Sequence, residues 1–506
     1  MDFTALLHGI AELLTLPTLL TMVIGAICGL IAAAIPGFTI TMAIILTLPL
    51  TFGMPVMQGI ATMIAVLVGG YTGGLFSAAL LGIPGTPSAV ASTFDGFPMA
   101  RRGEPGRALG IGIWASFGGV IISTIVLVLA APPLAKIAVK LGPWEYFSLI
   151  VFALTVVAGI AGDSLTKGLM TGVLGLLITT VGPDPMLGMP RFTFGTDTLA
   201  NGIPFLVVLI GVFAVSQLLS ETEDAQKIQK GTPLISGKGI RFKPWLGLND
   251  VLHDPVNLIR SSFVGVFIGA VPGAGGSISN LVAYDQAKRY SKTPEKFGTG
   301  IPQGIVASES GAAATSGGGL IPMIALGIPG TAVDAVFMAA LMVHGIGIGP
   351  RLIIEHPATV YGMFVALVVA SLITLVLALG TMKFFLRVVG IPMSIIAPVV
   401  LVFCLIGAFA LTQRVTDMYS LLGVGILGYV MKRLDYPLAP IVLSVVLGPI
   451  AETNLRRALM IHNDWTLFFT RPVSLGLLLF ALFSVVLTVY QRRRAKARRE
   501  SVATAA

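Results

Sequence analysis

Hydrophobic residues run along this chain in long blocks, not in alternation. Apolar segments lie at about 17–35, 39–53, 56–81, 109–131, 145–161, 164–182 and 201–220. After a polar stretch a second series follows at about 262–285, 301–327, 330–349, 357–384, 391–411, 415–431, 436–450 and 473–490. Blocks of roughly 20 residues can cross a hydrocarbon core of about 30 Å as helices. Several others are too short, or too often interrupted by glycine and proline, to be ordinary spans. Alternating segments of about 10 residues, as in a transmembrane barrel, are not seen. The pattern therefore predicts an all-α polytopic membrane protein with about a dozen transmembrane helices, some of them broken or re-entrant.

Composition supports this reading. Of the 506 residues 55% are hydrophobic and only 11% are charged, against about 25% charged in a soluble domain. The net charge of +9 does not point to nucleic acid, because the basic residues cluster at span ends. Arg492, Arg493, Arg494, Lys496, Arg498 and Arg499 follow the last apolar block, and the central stretch carries Lys227, Lys230, Lys238, Arg241, Lys243 and Arg260. By the positive-inside rule the centre and the C-terminus are cytoplasmic, and the N-terminus, which has no Lys or Arg before its first span, is external. The chain then divides into an N-terminal membrane repeat (1–220), a cytoplasmic linker (221–260), a C-terminal membrane repeat (261–490) and a basic cytoplasmic tail (491–506). Cys28 and Cys404 sit inside apolar runs and form no disulfide or metal framework. No cleavable signal peptide is expected, since the first residues lack a basic n-region.

The two halves are copies. Gly-Ile-Pro-Gly-Thr occurs at 82–86 and again at 327–331, an offset of 245. The same offset carries Gln58-Gly59-Ile60 onto Gln303-Gly304-Ile305 and Gly73-Gly74-Leu75 onto Gly318-Gly319-Leu320. Earlier in each half "AAIPGFTIT" (33–41) matches "GAVPGAGGS" (269–277) at an offset of 236, so the second copy carries extra residues, the polar run at 287–300. With the N-terminus outside and the centre inside, an odd number of crossings separates the copies, and the repeats are inverted.

Each copy thus breaks its apolar chain twice. In lipid an unpartnered backbone group costs several kcal/mol, so irregular backbone survives only inside protein or beside a watery cavity. A Pro-Gly pair ends one half-helix and lets another start. The restarted half-helix presents N–H groups and a positive dipole end to an anion, while the outgoing one offers carbonyls to a cation such as sodium. Taken singly, such prolines are helix kinks and such glycines are packing sites; paired breaks at corresponding points of two repeats point to a transporter's binding site. Between the breaks of the second copy "SESGAAATSGGG" (308–319) places Ser308, Ser310, Thr315 and Ser316 in a span, where they line a path or bond neighbouring helices. Glu309 and Asp334 are carboxylates at membrane depth, suited to a coupling cation or proton. Asp163 and Lys167 have the spacing of a helical ion pair. "PGAGGS" lacks the Gly-Lys-Ser/Thr ending of a phosphate loop.

The repeated Gly-Ile-Pro-Gly-Thr, the block "GGYTGGLFSAALLGIPGTPSAVASTFDGFPMARRGEPGRALG" (69–110) and the block "GAVPGAGGSISNLVAYDQAKR" (269–289) resemble the large membrane subunit of the tripartite tricarboxylate transporters, the TctA family. The resemblance covers most of the chain. It implies a multi-pass permease of the bacterial inner membrane and two partners: a small TctB-like membrane subunit and a periplasmic TctC-like solute-binding protein. It also implies uptake of carboxylates, such as the tricarboxylate citrate, driven by an ion gradient, with Na+ or H+ as coupling ion and no cofactor. On that footing Gly82, Pro84, Gly85, Thr86, Ser88, Gly327, Pro329, Gly330, Thr331, Ser310 and Ser316 are the expected substrate residues. Pro36, Gly37, Thr39, Pro272, Gly273, Gly275, Ser277, Ser279, Asn280 and Asp334 are the expected cation residues, with sodium the metal they would hold.

Two other readings stand beside this one. Broken helices also line passive anion channels. Tyr284-Asp285 resembles half of an intramembrane aspartyl-protease pair, though the chain lacks the Gly-x-Gly-Asp that would complete it. The segment from Ser262 to Asp285 is either one crossing or a hairpin. The hairpin puts Lys288, Arg289, Lys292 and Lys296 in the cytoplasm, but inverted repeats then place Arg101, Arg102 and Arg107 outside.

Overall fold

The apolar blocks fold as helices. The computed structural model describes residues 3–160, 164–228, 244–388 and 393–505. Among these residues 7 helices are long and apolar enough to cross a membrane: Leu16–Ala34, Val56–Leu81, Pro105–Ala138, Pro143–Ile160, Phe205–Glu223, Pro357–Phe385 and Pro472–Tyr490. Shorter apolar helices lie at Ile40–Thr51, Leu165–Thr179, Pro255–Ala270, Ala332–Val343 and Ala397–Ala410. The last long helix is sheathed least by protein, and Leu479, Phe480 and Phe483 stand exposed on it. Such an apolar surface belongs in lipid.

One further helix, Pro302–Leu326, is too polar to rank with those spans, yet nearly all of it is buried. It and Val56–Leu81 form the centre of the molecule. Each packs against the helix that leads into the first break of its own copy, Pro255–Ala270 and Leu16–Ala34 respectively. Each also packs against the long helix of the other copy: Pro302–Leu326 against Pro105–Ala138, and Val56–Leu81 against the helix that runs Pro357–Val388. The copies are therefore interlocked.

The sequence repeat is also a repeat of packing. Gly29 lies against the carbonyl of Val66, and its counterpart Gly265 lies against the carbonyl of Gly311, the counterpart of Val66. A Cβ at Gly73 would stand 2.5 Å from the Leu30 carbonyl, and one at Gly318 would stand 2.5 Å from the Val266 carbonyl. Both pairs keep the offsets 236 and 245 found in the sequence. Small residues let backbones approach this closely in membrane bundles.

Pro255–Ala270 and Gly275–Tyr290 pack on each other and both on Pro302–Leu326, so this broken segment is a helical hairpin, the second of the two expected alternatives. Residues 229–243 of the expected linker lie outside the described residues. Its C-terminal part is helical at Pro244–Leu252 and docks on the first copy, where Arg107 holds Asp250 at 2.7 and 2.8 Å. The helix beginning at Pro472 continues through the basic tail to Ala505. Asp163 is outside the described residues; Lys167 donates to the Leu434 carbonyl at 2.6 Å and lies over the Tyr436 ring.

A loop after the Leu165–Thr179 helix forms the two-residue strand pair Gly182–Pro183 and Pro190–Arg191. It is tied to the Ala439–Ile461 helix by Arg456 on Asp184 at 2.6 Å and Arg191 on Glu452 at 2.6 Å. The N–H groups of Leu187 and Met186, with Arg456, hold the Asp184 carboxyl down to about 2. A depressed folded value contributes stability above the ordinary aspartate range, lost as pH falls through about 2.

The close approaches predict that Gly73→Val and Gly318→Val each lower the unfolding temperature of the detergent-purified protein. Overpacking of this kind costs about 1–3 kcal/mol. Gly476→Val, where nothing lies within 4 Å of a Cβ, should not lower the unfolding temperature; equal losses for all three substitutions would refute the packing assignment.

Candidate functional site

Each Gly-Ile-Pro-Gly-Thr element is explained residue by residue. Gly82 and Gly327 cap the two central helices in the left-handed conformation, at φ of 71° and 73°. The proline stops helical continuation. Gly85 then rests against the Ala33 carbonyl and Gly330 against the Gly269 carbonyl, with room for no side chain at either. Ala33 and Gly269 are counterparts at offset 236, so the second break of each copy sits on the end of the helix that leads into that copy's first break. The element ends in Thr86 or Thr331, both extended. Thr331 caps the Ala332–Val343 helix: its hydroxyl accepts from the Asp334 N–H at 3.1 Å, and the Asp334 carboxylate accepts from the Thr331 N–H at 2.8 Å.

All four breaks meet at one cavity of about 560 Å³, within the range that suits a small-molecule ligand. Its wall is two-fold. Thr39, Ile40 and Thr41 face it from the first copy, and their counterparts Gly275, Gly276 and Ser277 from the second; Thr86, Pro87 and Ser88 answer Thr331, Ala332 and Val333. Three helices of full length therefore begin at the wall: Ile40–Thr51, Gly275–Tyr290 and Ala332–Val343. Each start turns the positive end of its dipole to the wall; at two of them a side chain already accepts one N–H, Thr39 from Met42 at 3.2 Å and Thr331 from Asp334 at 3.1 Å. Direct bonds hold the breaks together. Gly273 donates its N–H to the Gly330 carbonyl at 2.8 Å, Asn280 donates to the Pro87 carbonyl at 3.3 Å, and Thr86 and Ser88 share a hydroxyl hydrogen bond of 2.9 Å.

The expected residues divide between wall and scaffold. On the wall are Thr86, Ser88, Thr331, Thr39, Gly273, Gly275 and Ser277. Behind it Gly82, Pro84, Gly85, Gly327, Pro329, Gly330, Pro36, Gly37 and Pro272 shape the breaks. Ser310 and Ser316 bond backward into their own helix, to the carbonyls of Val306 and Ala313. Ser279 bonds the Gly276 and Gly311 carbonyls. Asp334 is engaged in the helix cap. The sets expected to hold substrate and cation are thus not apart in space, since both reach the same wall.

The remainder of the wall breaks the symmetry. Tyr71, Ile160, Phe213, Gln217, Lys432 and Tyr436 line it without a lining counterpart. Lys432, in the last turn of the Val415–Arg433 helix, donates to Gln217 at 2.6 Å, and Gln217 in turn donates to the Glu221 carboxylate at 2.6 Å. Lys432 stands directly after an apolar block, as an interfacial lysine does, and the packing of its helix on residues 205–228 carries it to the wall. The protease reading gains no support here: Asp285 lies exposed in an ion pair of 2.8 Å with Arg289.

The model of the tripartite tricarboxylate transporter TctA family matches residues 19–443. The chain belongs to that family. It is 33% identical, over 96% of each chain, to an uncharacterized 52.8 kDa protein in the TAR-I ttuC' 3' region of Agrobacterium vitis. A second uncharacterized protein, in the TAR-II ttuC' 3' region of the same organism, is 33% identical over 46% of this chain and 96% of its own length. No solved structure matches. The TctA-family membership makes this a multi-pass membrane protein and a tricarboxylate transporter permease, one component of a system with other subunits.

Among the described residues lining the cavity, Lys432 is the charged one. A hydrogen bond to a charged group contributes about 1.5–3 kcal/mol. Lys432→Gln should weaken binding of a labelled tricarboxylate to the purified protein by roughly ten- to a hundred-fold; unchanged affinity would remove Lys432 from the site.

Proposed function

We propose that this chain is the large permease subunit of a secondary active transporter that imports a carboxylate, a tricarboxylate such as citrate being the reference substrate. A periplasmic solute-binding protein delivers the substrate, a small membrane subunit completes the complex, and the protein resides in the bacterial inner membrane. The observation that carries this reading is the convergence of four backbone breaks, two from each copy, on one cavity. Three helix N-termini, a lysine and the hydroxyls of Thr39, Thr41, Thr86, Ser88, Ser277 and Thr331 give that cavity the character of an anion site.

Import of an anion needs a driving cation. A trivalent anion moving against an interior-negative potential of about 100 mV costs roughly 7 kcal/mol, at about 2.3 kcal/mol per charge. Co-transported Na+ or H+ offsets this charge. The carbonyls and hydroxyls around Thr39, Gly273, Gly275 and Ser277 are the oxygens on the wall from which a sodium site would be assembled, beside the substrate. A passive anion channel would use the same wall without coupling, and the dependence of flux on an ion gradient separates the two.

The wall hydroxyls make this testable by counterflow of citrate in proteoliposomes. The double substitution Thr86→Val with Thr331→Val should raise the substrate KM at least several-fold, since each valine leaves a carboxylate oxygen unpaired at about 1–3 kcal/mol. An unchanged KM would show that the carboxylate lies elsewhere.

A further inference from the structure

Glu309 is fully buried in the Pro302–Leu326 helix, away from the substrate wall. Its partners come from the other copy. Ser92 donates to one carboxyl oxygen, and Ser116 donates to the other at 3.0 Å; Ser92 also bonds Ser308 at 3.0 Å. Among the described residues no lysine, arginine or histidine is bonded to Glu309. The ionisable groups on the helices packed around it lie exposed, as Arg101, Lys136 and Lys288 do, or are engaged elsewhere. Asp95 accepts from the Tyr284 hydroxyl and from the N–H groups of Gly298, Gly300 and Ile301. Asp334 is in its cap, Arg107 holds Asp250 and Glu104, Arg260 donates to Asn257, Asp285 pairs with Arg289, and Tyr71 faces the substrate cavity. An ionised carboxylate in such surroundings carries a penalty of several kcal/mol, which a bound proton removes.

A second, independent feature adjoins it. Ser116 also lines a small void of about 10 Å³, the space of a single water, between the helices Val56–Leu81, Pro105–Ala138 and Pro357–Val388. Thr72, Ser371 and Thr374 supply three more hydroxyls to that void, and the buried Thr374 hydroxyl has no hydrogen-bond partner. A water there would satisfy Thr374 and connect it through Ser116 to Glu309. A hydroxyl–water–hydroxyl chain that ends on a carboxyl group is a path a proton can follow.

Resting on the transport reading above, we propose that Glu309 carries a proton through the transport cycle, with a single water in the hydroxyl-lined void as the relay beside it. The proton is taken up on a carboxyl oxygen from water on one side of the membrane and given to water on the other, with no other bond changed. Thr72 neighbours Tyr71 in the same helix, so the helix that walls the substrate cavity also walls the proton's relay.

The test uses the full-length protein in proteoliposomes with labelled citrate. Glu309→Gln should keep citrate counterflow, which needs no net proton movement, and lose uptake driven by an inward proton gradient together with its pH dependence. Glu309→Asp should retain both. Proton-driven uptake with the wild-type pH profile in the Gln variant would overturn the proposal, as would loss of counterflow and uptake alike in a variant that still melts as the wild type does. A second arm is independent of transport: the infrared spectrum of the wild type at neutral pH should contain a neutral-carboxyl band that Glu309→Gln removes, and absence of that difference would equally overturn the proposal. If the wild type itself shows no citrate counterflow, the substrate reading fails while the infrared result still decides the state of Glu309.

Discussion

The structure depends on two glycines seated on two carbonyls. Gly85 lies on the carbonyl of Ala33, and Gly330 on that of Gly269. At these contacts an extended backbone, which lipid would not tolerate, is packed between the end of one helix and the middle of another: Gly74 and Gly319 approach the same two residues from the central helices. A side chain at either position would lift the break off its seat. Everything functional follows from that seating, because it brings Thr86 to Ser88 and Thr331 to Val333 to the wall opposite the hairpin breaks. The irregular segments are thereby buried in protein on one side and face the cavity on the other, as irregular backbone at membrane depth must.

Much of this was legible because the protein is a duplication. An isolated Pro-Gly in an apolar run reads as a kink. The recurrence of two breaks at offsets of 236 and 245 selected the positions, and the structure places 39–41 against 275–277 and 86–88 against 331–333 in the same numbers. The helical class and the interruptions were equally open to reading, since hydrophobic blocks and helix-breaking residues act locally. The sense of the break at 271–274 was harder. Composition allows both a crossing and a hairpin there, and only packing on Pro302–Leu326 selects the hairpin.

What stayed hidden occurs once. Lys432, Gln217, Tyr71 and Tyr436 have no lining counterpart in the other copy, so the comparison of copies could not single them out. The hydroxyls around Glu309 come from Ser92 and Ser116, far away in sequence, and are ordinary small residues in their own helices. Asp334 illustrates the opposite error. A carboxylate at membrane depth invites a cation, but the Thr-x-x-Asp spacing from Thr331 was also the signature of a capping box, and local hydrogen bonds engage the side chain first. Where a polar residue has a partner within one helical turn, that partner takes precedence over a distant ligand.

The departures from symmetry are what give the cavity chemical direction. A perfect two-fold wall of glycine, proline and hydroxyl residues would present the same weak donors from both sides. The first copy keeps Ser88 where the second has Val333, and the second opens a glycine pair, Gly275 and Gly276, where the first has Thr39 and Ile40. Lys432 then adds charge from outside the breaks altogether. The duplicated core therefore builds a place where backbone can be broken inside a membrane, and residues of single origin specialise it. The same division holds for Glu309: the central helix that carries it has the symmetric packing, while the serines that hold its carboxyl belong to the opposite copy. Any change in how the two copies meet must alter the bonds at Glu309 and the shape of the cavity together, since Pro302–Leu326 and Val56–Leu81 border both copies at once.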